Sequence, residues 1–444
     1  MPISHACNSP PERAPPTHTP APQPQPAFTP TVLRALFWLL VLPLIVVLGI
    51  AVTALDPTPL VVRDASISPA SIAQARLLLK RHDPRRLRDG EEARAHLPVG
   101  LIDDAANHFA SRLGGRAQVN LDGEALALRA SLAVPGLVPA HFINLRVTVG
   151  AGDGPPRLTS AALGSLPLPP VLAEFLLDAG LRIAGYGEAW PLARQTVRGV
   201  GIDSARRHVE VRYVWQAELL ERARAIALDD AHVAQLEAAQ RDLAALLAHR
   251  APRQPVPLLA VLQPMLAAGD GERADPARRR AALAVLASYI AERSLAPLIP
   301  AARDWPRPRA HELTLLGRHD SAQHFVISAA LAAWAGEPLA DAIGVYKELA
   351  DARHGSGFSF ADLAADRAGA RFGELLMREP ARIDALLAAP LTDSALVPPL
   401  HGLPEFISAR EFARRYLDTD SPAYRQLIDE VERRVGSLPL YRAD

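Results

Sequence analysis

Apolar and polar positions along the chain change their period several times, and each change marks an element. From 35 to 55 every residue is uncharged, ALFWLLVLPLIVVLGIAVTAL; at ~1.5 Å per residue such a helix is long enough to cross a hydrocarbon core. Pro43 and Gly49, costly in a soluble helix, are tolerated in lipid. The run begins too late and is too long for a cleaved signal peptide, and a core helix is seldom apolar on every side. It predicts a single transmembrane anchor over 33–55. Arg34 at its leading edge and Asp56 at its trailing edge favour a cytoplasmic N-terminus. The Pro-rich stretch before it, 1–32, reads as a disordered cytoplasmic tail.

Residues 56–215 read as an α+β domain. Ser68-Pro69 opens a helix carrying Ile72, Leu78 and Leu79. Ile102, Ala106, Phe109 and Leu113 recur at helical spacing, ending at Gly114-Gly115. Val119, Leu121, Leu126, Leu128 and Ala130 then alternate about Asp122-Gly123, the signal of a type I′ hairpin. Ile143, Leu145, Val147 and Val149 give another strand. Leu166 to Pro170 reads as a loop before the apolar helix VLAEFLLDAGL, and Val209, Val211, Tyr213 and Trp215 form a strand paired with its predecessor across Asp203-Ser204. One antiparallel sheet with helices on one face fits this order. Such a sheet could make a core or cradle an apolar ligand.

The rest reads as all-α. In 216–310, a helical linker domain, Val233, Leu236, Leu243, Leu246 and Leu247 make one stripe, and Asp275-Pro276 caps the helix containing Arg278 to Arg280, read as a solvated face. Residues 311–379 form a three-helix module. In 380–444 a Pro-interrupted loop precedes two amphipathic helices capped by Ser408 and Ser421-Pro422.

Within the module, chemistry concentrates between Asp320 and Gly373. Asp320 and His324 lie four apart on one helix face; Lys347 and Asp351 share a face with Glu348 beside them; Asp362 and Asp366 lie four apart beyond a Ser359 cap. Ala365, Gly369 and Gly373 make a small-residue stripe along which another helix can approach closely. Converging carboxylates need a cation, a proton or hydrogen bonds. Three outcomes stay open: a structural network in which Lys347 pairs with Asp351 or Asp362 and Asp320 orients His324, a divalent-metal or ligand site, and acid–base chemistry at His324. No cofactor beyond that possible metal is expected. Gly355-Ser356-Gly357 lacks nucleophile-elbow spacing, and Ser328, four after His324, reads as an accidental neighbour.

The motifs D-x-A-Q-H-F-x-x-S-A at 320–329, K-E-L-x-D at 347–351 and G-S-G-F-S-F-x-D-L-x-x-D-x-A-G at 355–369 resemble the YfiM lipoprotein family and, more distantly, VanZ-like proteins. The resemblance covers about 55 residues and implies an envelope location and a small helical fold, with no reaction attached. A membrane helix stands here where the lipoproteins carry an acylated cysteine.

Composition narrows the classes. Basic and acidic residues number 48 each, so formal net charge is zero and nucleic acid is not the expected partner. The only lysines are Lys80 and Lys347, which makes a lysine inside the acidic cluster noteworthy. The sole cysteine, Cys7, forms no internal disulfide. The expectation is a bacterial inner-membrane protein, single-pass with its bulk periplasmic, binding an apolar ligand, a lipid or another envelope protein. The alternative is a membrane-proximal hydrolase or metal-dependent enzyme acting on a lipid or cell-wall substrate.

Overall fold

The computed structural model describes residues 53–83, 86–136, 141–183, 187, 189–218, 228–251, 254–267 and 275–441, with a few positions between 37 and 49. The expected tail and nearly all of the expected anchor lie outside the described residues. Among the described residues no helix is long and apolar enough to cross a membrane. The chain divides into two units, 1–52 and 53–444, and the second carries the sheets and the helical body.

The N-terminal half is α+β, but its strands form two antiparallel sheets where one was expected. Strands β1 (Leu55–Asp56), β2 (Glu92–Pro98), β3 (Gly115–Asp122), β4 (Ala125–Ala133), β5 (Phe142–Gly150), β6 (Gly152–Asp153), β7 (Arg157–Leu163), β8 (Leu166–Leu168), β9 (Val197–Asp203) and β10 (His208–Val214) alternate with helices α1 (Pro69–Arg81), α2 (Val99–Arg112), α3 (Pro170–Ile183) and α4 (Ala189–Thr196). One sheet runs β3-β4-β5-β7-β8, with β1 against β5; the other runs β2-β10-β9-β6. Leu55, the last residue of the expected anchor, pairs with Ile143 as sheet backbone. Leu166–Leu168, expected as loop, pairs with β7.

The β3–β4 hairpin pairs Asp122 with Ala125, so its two-residue turn is Gly123-Glu124. Only Gly123 of the pair has positive φ, +61°. That is the pattern of a type II′ turn, not the expected I′, and Gly takes its first central position at no steric cost.

Helix α2 ties the two sheets together. Val99 and Ile102 pack with Leu121 and Leu126 of the first sheet and Val200, Val209 and Val211 of the second; farther along, Ala106 and Ala110 meet Ala117 and Ala130. Phe109 and Leu113, expected on this buried stripe, are about half exposed. The fully buried residue of that turn is Asn107, whose amide bonds Asp64 O at 2.8 Å and the Ala117 N–H at 3.2 Å.

The C-terminal half is helical: α5 (Asp230–Ala248), α6 (Leu259–Leu266), α7 (Pro276–Ile290), α8 (His319–Ala335), α9 (Glu337–His354), α10 (Phe360–Arg378), α11 (Pro380–Leu387), α12 (Asp393–Leu396), α13 (Ala409–Tyr416) and α14 (Pro422–Gly436). Caps fall where the sequence places them: Ser68, Asp275, Ser359, Ser408 and Ser421 each accept a backbone N–H two or three residues on. One apolar core runs from Leu236 to Leu440, drawing Leu243, Leu283, Phe325, Phe360, Phe372, Val431 and Leu440 together. The basic triplet departs from its expected solvated role. Arg279 is 1% exposed, donates to the carbonyls of Leu266 and Pro380, and pairs with Asp384.

Candidate functional site

The site is built by α8, α9 and α10 around a close helix crossing. A Cβ placed on Gly369 would stand 2.1 Å from the Phe325 carbonyl oxygen, and one on Gly373 would stand 2.1 Å from that of Ala329. Only glycine lets α10 lie this near α8. Ala365, the third member of the expected stripe, is fully buried. The short gap between backbones is what brings polar side chains of the two helices into contact.

On α8, His324 and Ser328 stack one turn apart and both face α10. His324 Nδ1 lies 3.1 Å from Asp366 Oδ2, and Ser328 Oγ donates to Asp366 Oδ1 at 2.7 Å. The other ring nitrogen, Nε2, lies 3.5 Å from Asp362 Oδ2. Gly344 of α9 leaves space for the Asp366 carboxylate: a Cβ there would be 3.0 Å from Oδ2. His324, Ser328 and Asp366 are all buried.

Helix α9 supplies the cation. Lys347 Nζ lies 2.8 Å from Asp351 Oδ2, 3.1 Å from Glu348 Oε1 and 3.3 Å from His324 Nε2. Glu348 is 1% exposed, and its second oxygen accepts the Ser359 N–H at 2.9 Å. The carboxylate therefore clasps the backbone entry to α10. Ser359 in turn accepts from the Asp362 N–H, completing the cap. Asp362 Oδ1 is buried without a hydrogen-bond partner.

Six of the seven expected polar residues thus meet: His324, Lys347, Glu348, Asp351, Asp362 and Asp366. Asp320 does not orient His324. It forms a two-toothed pair with Arg318, at 3.0 and 2.7 Å, and Arg318 also reaches Glu405 at 2.6 Å. Ser328 belongs to the network through Asp366, although spacing alone made it look accidental. Gly344 and Arg318 carried no signal in the sequence, since their roles arise from contacts with other segments.

The electrostatics follow from burial and neighbours. Desolvation by itself would lower the His324 pKa; the charge and hydrogen bond of Asp366, then the charge of Asp362, outweigh it and carry the group up to about 9. The Lys347 contact at 3.3 Å would suit a neutral ring accepting at Nε2, yet carboxylates face both ring nitrogens, and their sum favours imidazolium. Burial raises Glu348 to about 7, with Lys347 opposing. Burial likewise raises Asp362. Lys347, desolvated but flanked by Glu348 and Asp351, is held firmly protonated.

One atom each from His324, Glu348 and Asp366 lie within 4.8 Å of one another, so this buried trio could hold a metal ion. Imidazole plus two carboxylates is a donor set suited to several divalent ions. On the far side of α9, Tyr346 and Arg353 face a groove of roughly 730 Å³ that Arg63, Pro69, Asp104 and Asp420 also line.

Against family models, curated proteins and solved structures, the chain matches none.

Proposed function

We propose that this is a bacterial envelope protein with a binding or structural role, anchored in the inner membrane by 33–55, in which the buried polar cluster braces the helical body. The carrying observation is the position of Lys347, whose ammonium stands within 3.3 Å of His324, Glu348 and Asp351. The chain brings its own cation to its own carboxylates: the contacts with Glu348 and Asp351 lie within α9, the contact with His324 crosses to α8, and Glu348 in turn holds the start of α10. The two sides of the cluster have unequal polarity: Lys347 is half exposed, whereas Glu348 is sealed. The anchor rests on the uncharged run before Asp56, and the resemblance of the 320–369 motifs to YfiM lipoproteins supports an envelope setting.

Removing the half-exposed cation from such a network strands the sealed carboxylate of Glu348. Lys347→Met in the full-length, detergent-solubilised chain is expected to lower the melting temperature clearly, with no rescue by added divalent ions. An unchanged melt would overturn the brace.

A second reading is favoured by the trio within 4.8 Å and by charge arithmetic: four carboxylates (Glu348, Asp351, Asp362, Asp366) face two cationic groups (Lys347, His324). A divalent ion on His324, Glu348 and Asp366 would displace the imidazolium proton and still cut that excess from two charges to one, and could serve a hydrolase acting on a lipid or cell-wall substrate. Stoichiometric metal in the purified chain, lost in Asp366→Asn with the fold retained, would establish it.

A further inference from the structure

Helix α3 wears its hydrophobicity on the wrong side for a water-facing element. Its inward positions are small or polar: Ala173 is buried, Asp178 accepts from the Trp190 indole N–H at 2.7 Å, and Glu174 pairs with Arg194 at 3.8 Å. Its outward positions are large and apolar. Val171 is 82% exposed, Phe175 66%, and Leu172, Leu176 and Leu177 between 40% and 46%. An ordinary surface helix shows the reverse arrangement, and a contiguous apolar patch of this kind marks a contact surface.

The chain itself indicates what covers it. The uncharged run of 35–55 ends where it joins the sheet that carries α3. The Thr53 carbonyl accepts from both the Ser165 N–H, at 3.0 Å, and the Ser165 hydroxyl, at 3.1 Å. The next residues have no slack: Leu55–Asp56 pair with β5, and Asn144 donates to Asp56 Oδ2 and the Thr58 carbonyl. Ser165 leads through β8 into α3, which packs on β7. The exit from the apolar run is therefore clamped to the sheet five residues upstream of an outward-facing apolar helix.

We infer that α3 is an interfacial helix that lies in the outer leaflet of the membrane holding the anchor, with Val171, Phe175 and Leu176 in the acyl boundary and the exposed Arg182 at headgroup level. This rests on the anchor proposed above. A second contact beside a single-pass helix would fix the rotation of the sheet about the anchor axis, which one attachment point alone does not. The ligand is the phospholipid surface itself.

The test uses the full chain in vesicles of phosphatidylethanolamine and phosphatidylglycerol. Cys7→Ser removes the native thiol, and Phe175→Cys or Arg433→Cys introduces one for an environment-sensitive dye; both positions are exposed, so folding is spared. The expected result is a blue-shifted dye at 175 that is quenched several-fold more by shallow nitroxide lipids than the dye at 433. If the chain floats with the vesicles but the dye at 175 is quenched by aqueous iodide as readily as at 433, the interfacial helix is overturned and the anchor stands. A chain that fails to float overturns both. A dye at 175 shielded equally without vesicles would show that the helix is covered by protein, including the 35–52 segment, and would also overturn the inference.

Discussion

At the scale of residues, His324 carries the clearest pH dependence. Its folded pKa, about 9, lies above the ordinary 6.5, so its stabilising contribution is fully present below 6.5 and is lost as pH rises through 9. The gap corresponds to ~3 kcal/mol for a single site. Glu348, raised to about 7 from 4.5, acts with the same sign, its contribution complete below 4.5 and gone above 7. Asp320, which Arg318 holds low, acts oppositely and sets the acid side. Thermal melts should therefore be highest in mildly acidic buffer and fall steadily toward about pH 9.5, with His324→Gln flattening the alkaline fall. A melt that rises through that range would refute the assignment. The membership of this cluster was legible, since rare polar residues on apolar helices must find partners. The pairing was not. Spacing on one helix suggested Asp320 for His324, while the partner actually comes from another helix, and Arg318 had already engaged Asp320 through its planar fork.

Helices were legible wherever a local device ended them. Ser68-Pro69, Asp275-Pro276 and Ser421-Pro422 satisfy orphan N–H groups within their own turn, so no distant contact is needed to place them. Sheets were not, because pairing joins residues far apart in sequence. Glu92–Pro98 and Gly152–Asp153 flank β9 and β10 to make a second sheet, and no local pattern announces that. The small-residue stripe falls between these cases. Glycine spacing on α10 announced a close approach, and its partner proved to be the backbone of α8. Gly369→Ala should force the helices apart, costing ~3 kcal/mol by overpacking and lowering the melt by on the order of 4 °C. Gly100→Ala, whose Cβ would meet nothing within 4 Å, should instead stabilise α2 by about 0.5–1 kcal/mol. Equal effects at the two sites would mean that the crossing is looser than these distances require. The expected solvated face at Arg278–Arg280 failed for an energetic reason: Arg279 is satisfied by two carbonyls and Asp384, so its burial is tolerable. Asp384→Ala leaves that guanidinium short of its counter-charge and should destabilise by about 3 kcal/mol, whereas Arg279→Met keeps the volume, drops the charge and should cost less.

For the whole molecule the decisive matter in the proposed reading is which side of the membrane each part would occupy. The uncharged run before Asp56 is the feature on which the proposed anchor rests. Its orientation rests on Arg34 and Asp56, and the zero net charge gives no further vote. The structured body supplies a physical reason to care about that orientation. Its first strand grips the sheet directly after the run, so under the proposed anchor a cytoplasmic N-terminus would commit the sheet that follows to the periplasm. The native thiol provides the probe, because Cys7 precedes the run and is the only cysteine. In intact cells a membrane-impermeant maleimide should leave Cys7 unlabelled until the membrane is permeabilised. In the Cys7→Ser background, Arg433→Cys should label before permeabilisation once the outer barrier is opened. Labelling of Cys7 in sealed cells, with protection at 433, would invert the topology. The polar cluster would then face the cytoplasm, where a cell-wall substrate could not reach it, and only the lipid form of the hydrolase alternative would survive.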